Sequence, residues 1–279
     1  MTLLAIKRRA IDRAATFFAW GATALALLGL ASILWTLLAN GVAGISSELF
    51  SRDTPAPGSI GGLRNAIVGS ALMTFGGLAL AIPIGILAGT YLAEYGRDTR
   101  LGRATSFIND ILLSAPSIVI GLFVYGLVVV PSGHFSGFAG ALALALLALP
   151  IIVRSTSDSL SLLPASLREA TLALGAPTYL MVQKVCYRAA RMGLVTGALL
   201  SLARIAGETA PLLFTALNSQ FFSMDMNAPL ASLPAVIYRY AMSPFDDWNQ
   251  LAWSGALLIA ATVLGINLLL RAIARPTEH

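Results

Sequence analysis

Four long intervals of this chain carry no charged side chain: Arg13 to Glu48, Arg64 to Glu94, Asp110 to Arg154, and Asp247 to Arg271. A helix needs roughly 20 consecutive apolar residues to cross the hydrocarbon core of a bilayer, and every interval is long enough. Of the 279 residues, 57% are hydrophobic and only 11% charged, whereas soluble domains carry about 25% charged residues. The sequence therefore predicts an all-α integral membrane protein. Its pI near 9.7 does not indicate nucleic acid, because the basic residues fall between apolar spans rather than in one surface patch.

The interval from Asp110 to Arg154 is too long for a single crossing and carries Pro131 and Gly133 near its middle. It reads as two helices joined by a short turn. With the apolar run around Arg204, six spans are expected, near residues 15–40, 66–93, 108–130, 137–153, 193–217 and 250–271. Basic residues concentrate on the cytoplasmic side of a membrane protein. Placing both termini in the cytoplasm leaves only Arg52, Arg64 and Arg239 outside, with Arg204 inside the bilayer. The stretch from Ala14 to Ala39 exceeds the 7–15-residue apolar core of a cleaved signal peptide, so the first span reads as uncleaved. No internal repeat is evident, which disfavours a secondary-transporter architecture.

Within the fifth span, Arg204 and Glu208 are the only charged residues between Arg191 and Asp225. A charge at the bilayer centre costs about 2.5–3.5 kcal/mol on insertion scales, and such residues usually mark a substrate or ion route. At 100° per residue, Gly197, Ser201, Arg204, Glu208, Pro211 and Thr215 share one face of a helix. Leu199, Leu202, Ala206 and Leu213 lie roughly opposite. Pro211 offers no N–H to the carbonyl of Gly207, which weakens the helix there and lets it bend. A planar guanidinium offers parallel donors to two oxygens of an oxyanion. Glu208, one turn away, can hold that guanidinium when no anion is present and so keep affinity low. The competing reading is a structural i,i+4 pair that ties the span to its neighbours.

Other chemistry is sparse. Cys186 is the only cysteine, and His134 and His279 lie far apart, so no disulfide or metal site is expected. No G-x-x-x-x-G-K-[ST] run occurs, so any nucleotide must bind to another chain. Asp110 reads as an interfacial helix-start residue. Gly76, Gly77, Pro83 and Gly85 suit close helix approach or a kink. The segment Leu230–Met242 reads as a short interfacial or re-entrant helix in an external loop.

The longest cytoplasmic segment runs from Arg154 to Met192. Ser166 to Leu174 forms a short helix with Pro164 near its start and Glu169 in its first turns. Gly175, Ala176 and Pro177 stop it, and Thr178 can cap a second helix carrying Tyr179, Val182, Lys184 and Arg188. Two short helices about a glycine turn make a knob that could seat in a partner's groove. They equally fit a basic hairpin lying on an anionic leaflet.

Glu169, Ala170 and Thr171, followed by Gly175, resemble the EAA–x3–G loop of ABC importer permeases. The runs Gly61–Ser70, Ala115–Tyr125, Arg204–Pro211 and Leu251–Gly255 are similar to the permease subunits of phosphate ABC importers, and the likeness extends from about Gly61 to Arg271. The chain departs from the family at Val185, Cys186, Tyr187 and Arg188, where a proline is usual, and at Thr171, where an alanine is usual.

The resemblance implies a type I ABC importer permease (MetI-like) core formed by five of the six spans. It divides the chain into residues 1–64, with the first helix and an external loop, and residues 65–275, the permease domain with coupling loop 154–192. It further implies a multi-pass protein of a bacterial inner membrane. This protein would be not an enzyme, with no cofactor, passing inorganic phosphate inward beside a second permease subunit. An extracytoplasmic phosphate-binding protein would deliver substrate, and two ATP-binding subunits would dock on Arg168, Glu169, Ala170, Gly175 and Ala176. Ser201, Arg204, Glu208, Thr209 and Thr215 would line the pathway, with Gly207 and Pro211 as its hinge. A permease for another oxyanion (phosphonate or sulfate), an ATP-independent anion transporter and a non-transporting scaffold are the alternative classes.

Overall fold

In the computed structural model the backbone is described for residues 3–274 and side-chain surroundings for residues 11–268. The side chains of Lys7, Arg8, Arg9 and Arg271, and all of Arg275 and His279, lie outside the described residues. Within them the regular structure is entirely helical.

Helix α1 (Leu3–Gly41) stands beside the body, open along most of its described residues and joined to α14 near its end. There Gln250 Nε2 donates to the Asn40 carbonyl at 2.8 Å, and Ser254 Oγ donates to the Gly41 carbonyl at 3.1 Å. Phe17, Trp20 and Trp35 lie open, as a helix apolar on every face requires when lipid is its solvent. A short α2 (Ser47–Ser51) leads to α3 (Arg64–Thr90), which continues in a widened i→i+5 turn through Tyr95.

Helix α3 runs parallel to α7 (Gly137–Ser161), and this is the main packing contact of the body. The cause lies in the small residues. Lipid gives apolar helices no hydrophobic reason to associate, so close backbone approach and dispersion must supply the attraction. A Cβ at Gly77 would lie 2.9 Å from the Ala141 carbonyl, and one at Gly85 2.8 Å from Ile152 Cβ. The expected close approach at these glycines is therefore real. Helix α7 also runs past the expected end of its span at residue 153 and carries Arg154 and Asp158 outward on its last turns.

Two expected spans are not single helices. The third is α4 (Arg100–Ser114) followed, after Ala115 and Pro116, by α5 (Ser117–Val124), a widened turn, and α6 (Val130–Ser132). The two parts meet at 108°. The residue before a proline is pushed out of the α region, and Ala115 is extended, with φ −67° and ψ 134°. Asp110 consequently lies well inside α4 rather than at the start of a span.

The fifth expected span is α11 (Arg191–Ile205) and α12 (Ala210–Thr215), separated by residues 206–209. Pro211 lies in the first turn of α12, where a missing N–H is no loss. It does not bend a continuous helix; it starts a new one. At 15 residues, α11 reaches only about 22 Å of the roughly 30 Å hydrocarbon core. Among the described residues, six continuous spans are not confirmed. Four helices among the described residues are long and apolar enough to cross a membrane, or five if the bent pair of α4 with α5 and its continuation counts as one.

The hairpin between α7 and α11 contains α8 (Ala165–Ala173), α9 (Thr178–Leu180), a widened turn Met181–Cys186, and α10 (Tyr187–Ala189). Thr178 is the first helical residue rather than the cap, because Pro177 occupies the N-cap position. Glu169 lies beyond the first turn of α8. With no proline at residues 185–188, the second arm runs without a break from Thr178 to Ala189.

Beyond α12, Leu233–Ala241 forms α13, which packs on α3 and on α14 (Asp246–Ala274). Tyr240 stacks on Trp248 at 4.4 Å. The helix expected in an external loop is thus built into the body.

Candidate functional site

The charged pair sits where α11 ends. Arg204 occupies the last turn of that helix, where the carbonyl end of the dipole favours a cation. Glu208 lies in the break before α12. Arg204 Nη1 approaches Glu208 Oε1 to 2.8 Å. Burial of the two partners is unequal: the Arg204 side chain is 56% exposed and that of Glu208 only 7%. Glu208 Oε1 is enclosed and lacks a well-directed hydrogen bond, so its one counterion is a guanidinium that faces outward. An anion arriving at that face would meet the arginine first and would compete with Glu208 for it.

The other residues of the expected stripe turn inward. Gly197 packs on Ser155 of α7, and a Cβ there would lie 2.5 Å from Ser155 Oγ. Ser201 is fully buried and donates to the Ala198 carbonyl at 2.7 Å. Thr215, also fully buried, donates to the Pro211 carbonyl at 2.8 Å. Pro211 rests on Gly121 of α5, where a Cβ would come within 2.6 Å of its Cα. Thr209 opens α12 without a side-chain cap. Gly207 is exposed with nothing near its Cα face. So Ser201 and Thr215 bind their own backbone, and Arg204, backed by its buried carboxylate partner, is what the stripe presents outward. The 100° projection assumed a continuous helix and missed the packing of α11 on α7. Sequence spacing nonetheless contained that signal: Gly193 and Gly197 face Ser159 and Ser155, four residues apart on each helix.

The hairpin lies at the other end of α11. Its outer face is open at Glu169, Ala170, Leu172, Leu174 and Tyr179. Gly175 turns the chain with φ +79°, in the left-handed region that β-branched residues avoid. Ala176 is half-buried in that turn. Arg168 does not share the outer face. Its Nη2 donates to Glu94 Oε1 at 2.6 Å and to the Leu160 carbonyl at 2.7 Å, its Nε to Glu94 Oε2 at 3.0 Å, and its Nη1 to the Leu163 carbonyl at 2.8 Å. The bonds to Glu94 raise the Arg168 pKa above the ordinary guanidinium value. A second link joins Tyr187 Oη and Thr90 Oγ1 at 2.9 Å. The hairpin is therefore fastened to the end of α3 by both arms. Cys186 is fully buried beneath it, and burial, with Glu94 nearby, pushes its thiol pKa up.

Glu94, 5% exposed, is the partner in this fastening that reading along the chain missed. In one dimension it only ends an apolar interval.

Gly175 offers a specific test. No neighbour lies within 4 Å of a Cβ placed there, so a side chain would act through backbone strain alone. Under the coupling role that the resemblance implies for this loop, Gly175→Val should strain the tip by about 1–3 kcal/mol and uncouple ATP hydrolysis from transport in the assembled complex. Gly175→Asn, which tolerates this conformation, should retain coupling. Equal ATP-to-substrate ratios for Gly175→Val and wild type would contradict a coupling role for this turn.

Comparison with known proteins follows the same outline. Residues 81–278 match the family model of the binding-protein-dependent transport system inner membrane component. The phosphate transport system permease protein PstA of Pasteurella multocida is 56% identical over 245 residues, covering 88% of each chain. Its Haemophilus influenzae counterpart is 57% identical over 245 residues, covering 88% of this chain and 87% of that one. Among solved structures, an inward-facing form of the MetNI methionine ABC transporter superposes with TM-score 0.59 at 23% identity, over 76% of this chain and 96% of that one. At that identity the likeness concerns the fold. On the extent of the family match and the identity to these relatives, the chain belongs to the binding-protein-dependent inner membrane transport components, within the phosphate transport system permease proteins PstA.

Proposed function

We propose that this chain forms, with a second permease subunit, the route by which inorganic phosphate enters the cytoplasm in an ATP-driven importer. The observation that carries the reading is the half-exposed Arg204 guanidinium on a buried carboxylate, within an otherwise uncharged run. About 13 residues of helix, roughly 20 Å, separate Arg204 from the hairpin end of α11. An arginine at that depth needs a partner or a water-lined path, and phosphate suits its forked donors.

Both termini and the hairpin are assigned to the cytoplasm from the bias of basic residues. Two ATP-binding subunits would dock on the open hairpin face around Glu169 and Ala170, and an extracytoplasmic phosphate-binding protein would load the opposite end. Chemistry on ATP belongs to those partners. The linkage through this chain is mechanical. Movement of the hairpin pulls on α3 through Arg168–Glu94 and Tyr187–Thr90. Helix α3 carries α7 with it through their glycine-lined contact, and α7 holds α11 at Gly193 and Gly197. The break at residues 206–209 lies at the far end of that train, where the orientation of Arg204 toward Glu208 can change.

Affinity purification of the chain from its native membrane tests this assembly. An ATP-binding subunit and a second permease should copurify and hydrolyse ATP. A chain that purifies alone and transports without ATP would exclude the reading.

A further inference from the structure

The hairpin carries charge that its open face around Glu169 does not use. No aspartate or glutamate occurs from Ala170 to Gly207, while Lys184, Arg188 and Arg191 follow one another at spacings of four and three residues. The second arm turns its apolar side inward, where Met181, Val182, Cys186 and Ala190 are buried with Leu160 of α7. Lys184, Arg188 and Arg191 are all exposed. Among the described residues, none of the three pairs with a carboxylate.

The depth of this basic strip follows from the helices it rests on. Helix α7 begins at Gly137, and a hydrocarbon core of about 30 Å takes roughly 20 residues of helix. A crossing that starts at Gly137 therefore ends near Ser157. Gly89 of α3 packs on Thr156, which brings the end of α3 to the same level. Tyr187 Oη meets the next residue of α3, Thr90, at 2.9 Å. Gly193, near the start of α11, packs on Ser159, and its carbonyl accepts from Ser155 Oγ at 3.1 Å. The second arm thus crosses the bundle where hydrocarbon gives way to headgroups, a layer about 5–7 Å deep on each side of a bilayer. Long basic side chains extend readily from such a level to the headgroups.

We infer that Lys184, Arg188 and Arg191 form a docking strip for anionic phospholipids of the leaflet on the hairpin side. The inference shares with the proposed function the cytoplasmic placement of the hairpin, since the cytoplasmic leaflet is the anionic one. Charge complementarity and depth both favour lipid, because phosphodiester headgroups already fill the layer that the strip occupies. An acidic protein surface would have to displace them. The face around Glu169 stays free for a protein partner, so the two arms of the hairpin meet different neighbours.

The test places a photoreactive benzophenone side chain at the exposed Ala189, beside Arg188. The whole importer complex is reconstituted in vesicles with equal amounts of phosphatidylglycerol and phosphatidylcholine, one of them radiolabelled at a time. A cation near an anionic surface contributes about fivefold in association, so illumination should attach phosphatidylglycerol over phosphatidylcholine by roughly fivefold or more. Lys184→Gln, Arg188→Gln and Arg191→Gln together should remove most of that preference. Lys184→Arg with Arg188→Lys and Arg191→Lys keeps the charges and should keep it. Salt at about 1 M, where screening acts within about 3 Å, should shrink the preference with all three cations in place, which tests the strip even if the glutamine variant fails to assemble. Equal labelling by the two lipids overturns the inference. So does a preference undiminished by the glutamine substitutions or by salt. Capture of a protein subunit in place of lipid overturns it too, and would assign the strip to an acidic protein surface. Neither ATP nor phosphate enters the assay, so its outcome is independent of whether the complex transports and of which anion it carries.

Discussion

Replacing Arg204 by alanine is expected to abolish phosphate uptake while the importer complex still assembles. A hydrogen bond to a charged group contributes about 1.5–3 kcal/mol, and an arginine fork supplies two. The expected loss is therefore about 3–6 kcal/mol, or roughly 10²- to 10⁴-fold. Glu208 complicates the single substitution, because it is 7% exposed and would lose its counterion. A complex carrying both Arg204→Ala and Glu208→Gln removes that stranded charge. It should assemble as well as wild type and still fail to transport. Arg204→Lys keeps the charge without the fork and should retain a small fraction of the rate. If the double variant assembles and transports normally, Arg204 is a structural ion pair and no more.

The second large effect concerns the fastening of the hairpin. Arg168→Ala leaves Glu94 enclosed with no cation and frees the carbonyls of Leu160 and Leu163. Breaking a buried pair from one side costs about 3–5 kcal/mol, enough to loosen the hairpin from α3. The expected results are a lower melting temperature of the purified complex, faster proteolysis between residues 162 and 180, and weaker retention of the ATP-binding subunits. A double-mutant cycle makes the cause specific. Adding Arg168→Ala to Glu94→Ala should cost much less than adding it to wild type. Equal costs in the two backgrounds would show that Arg168 does not act through Glu94.

The fold was legible wherever local signals agreed with the final packing. Helices α1, α3, α7 and α14 follow from charge-free intervals, because hydrocarbon demands internally bonded backbone along its whole thickness. The hairpin was legible through Gly175, whose left-handed conformation few other residues adopt. Breaks were read less well, because a fixed helical period cannot register its own interruption. Pro116 and Pro211 were both visible. Only the structure shows that each begins a helix, so that Ala115 and the residues before Ala210 leave the helical path.

For the candidate site, the pair Arg204–Glu208 could be read because its partners are one turn apart. Arg168–Glu94 could not, because its partners are 74 residues apart. Ser201 and Thr215 were placed on the outward stripe because polar residues in an apolar helix suggest a route. In the structure each bonds to a carbonyl three or four residues back, a common way for a hydroxyl to be satisfied within a helix.

The most direct measurement is uptake of radiolabelled phosphate into vesicles containing this chain with its second permease, ATP-binding subunits and phosphate-binding protein. The account predicts uptake that requires ATP on the side of the hairpin, is inhibited by unlabelled phosphate far more than by sulfate or phosphonate, and disappears with Arg204→Ala. Uptake that proceeds without ATP, or that sulfate suppresses as well as phosphate does, would contradict it.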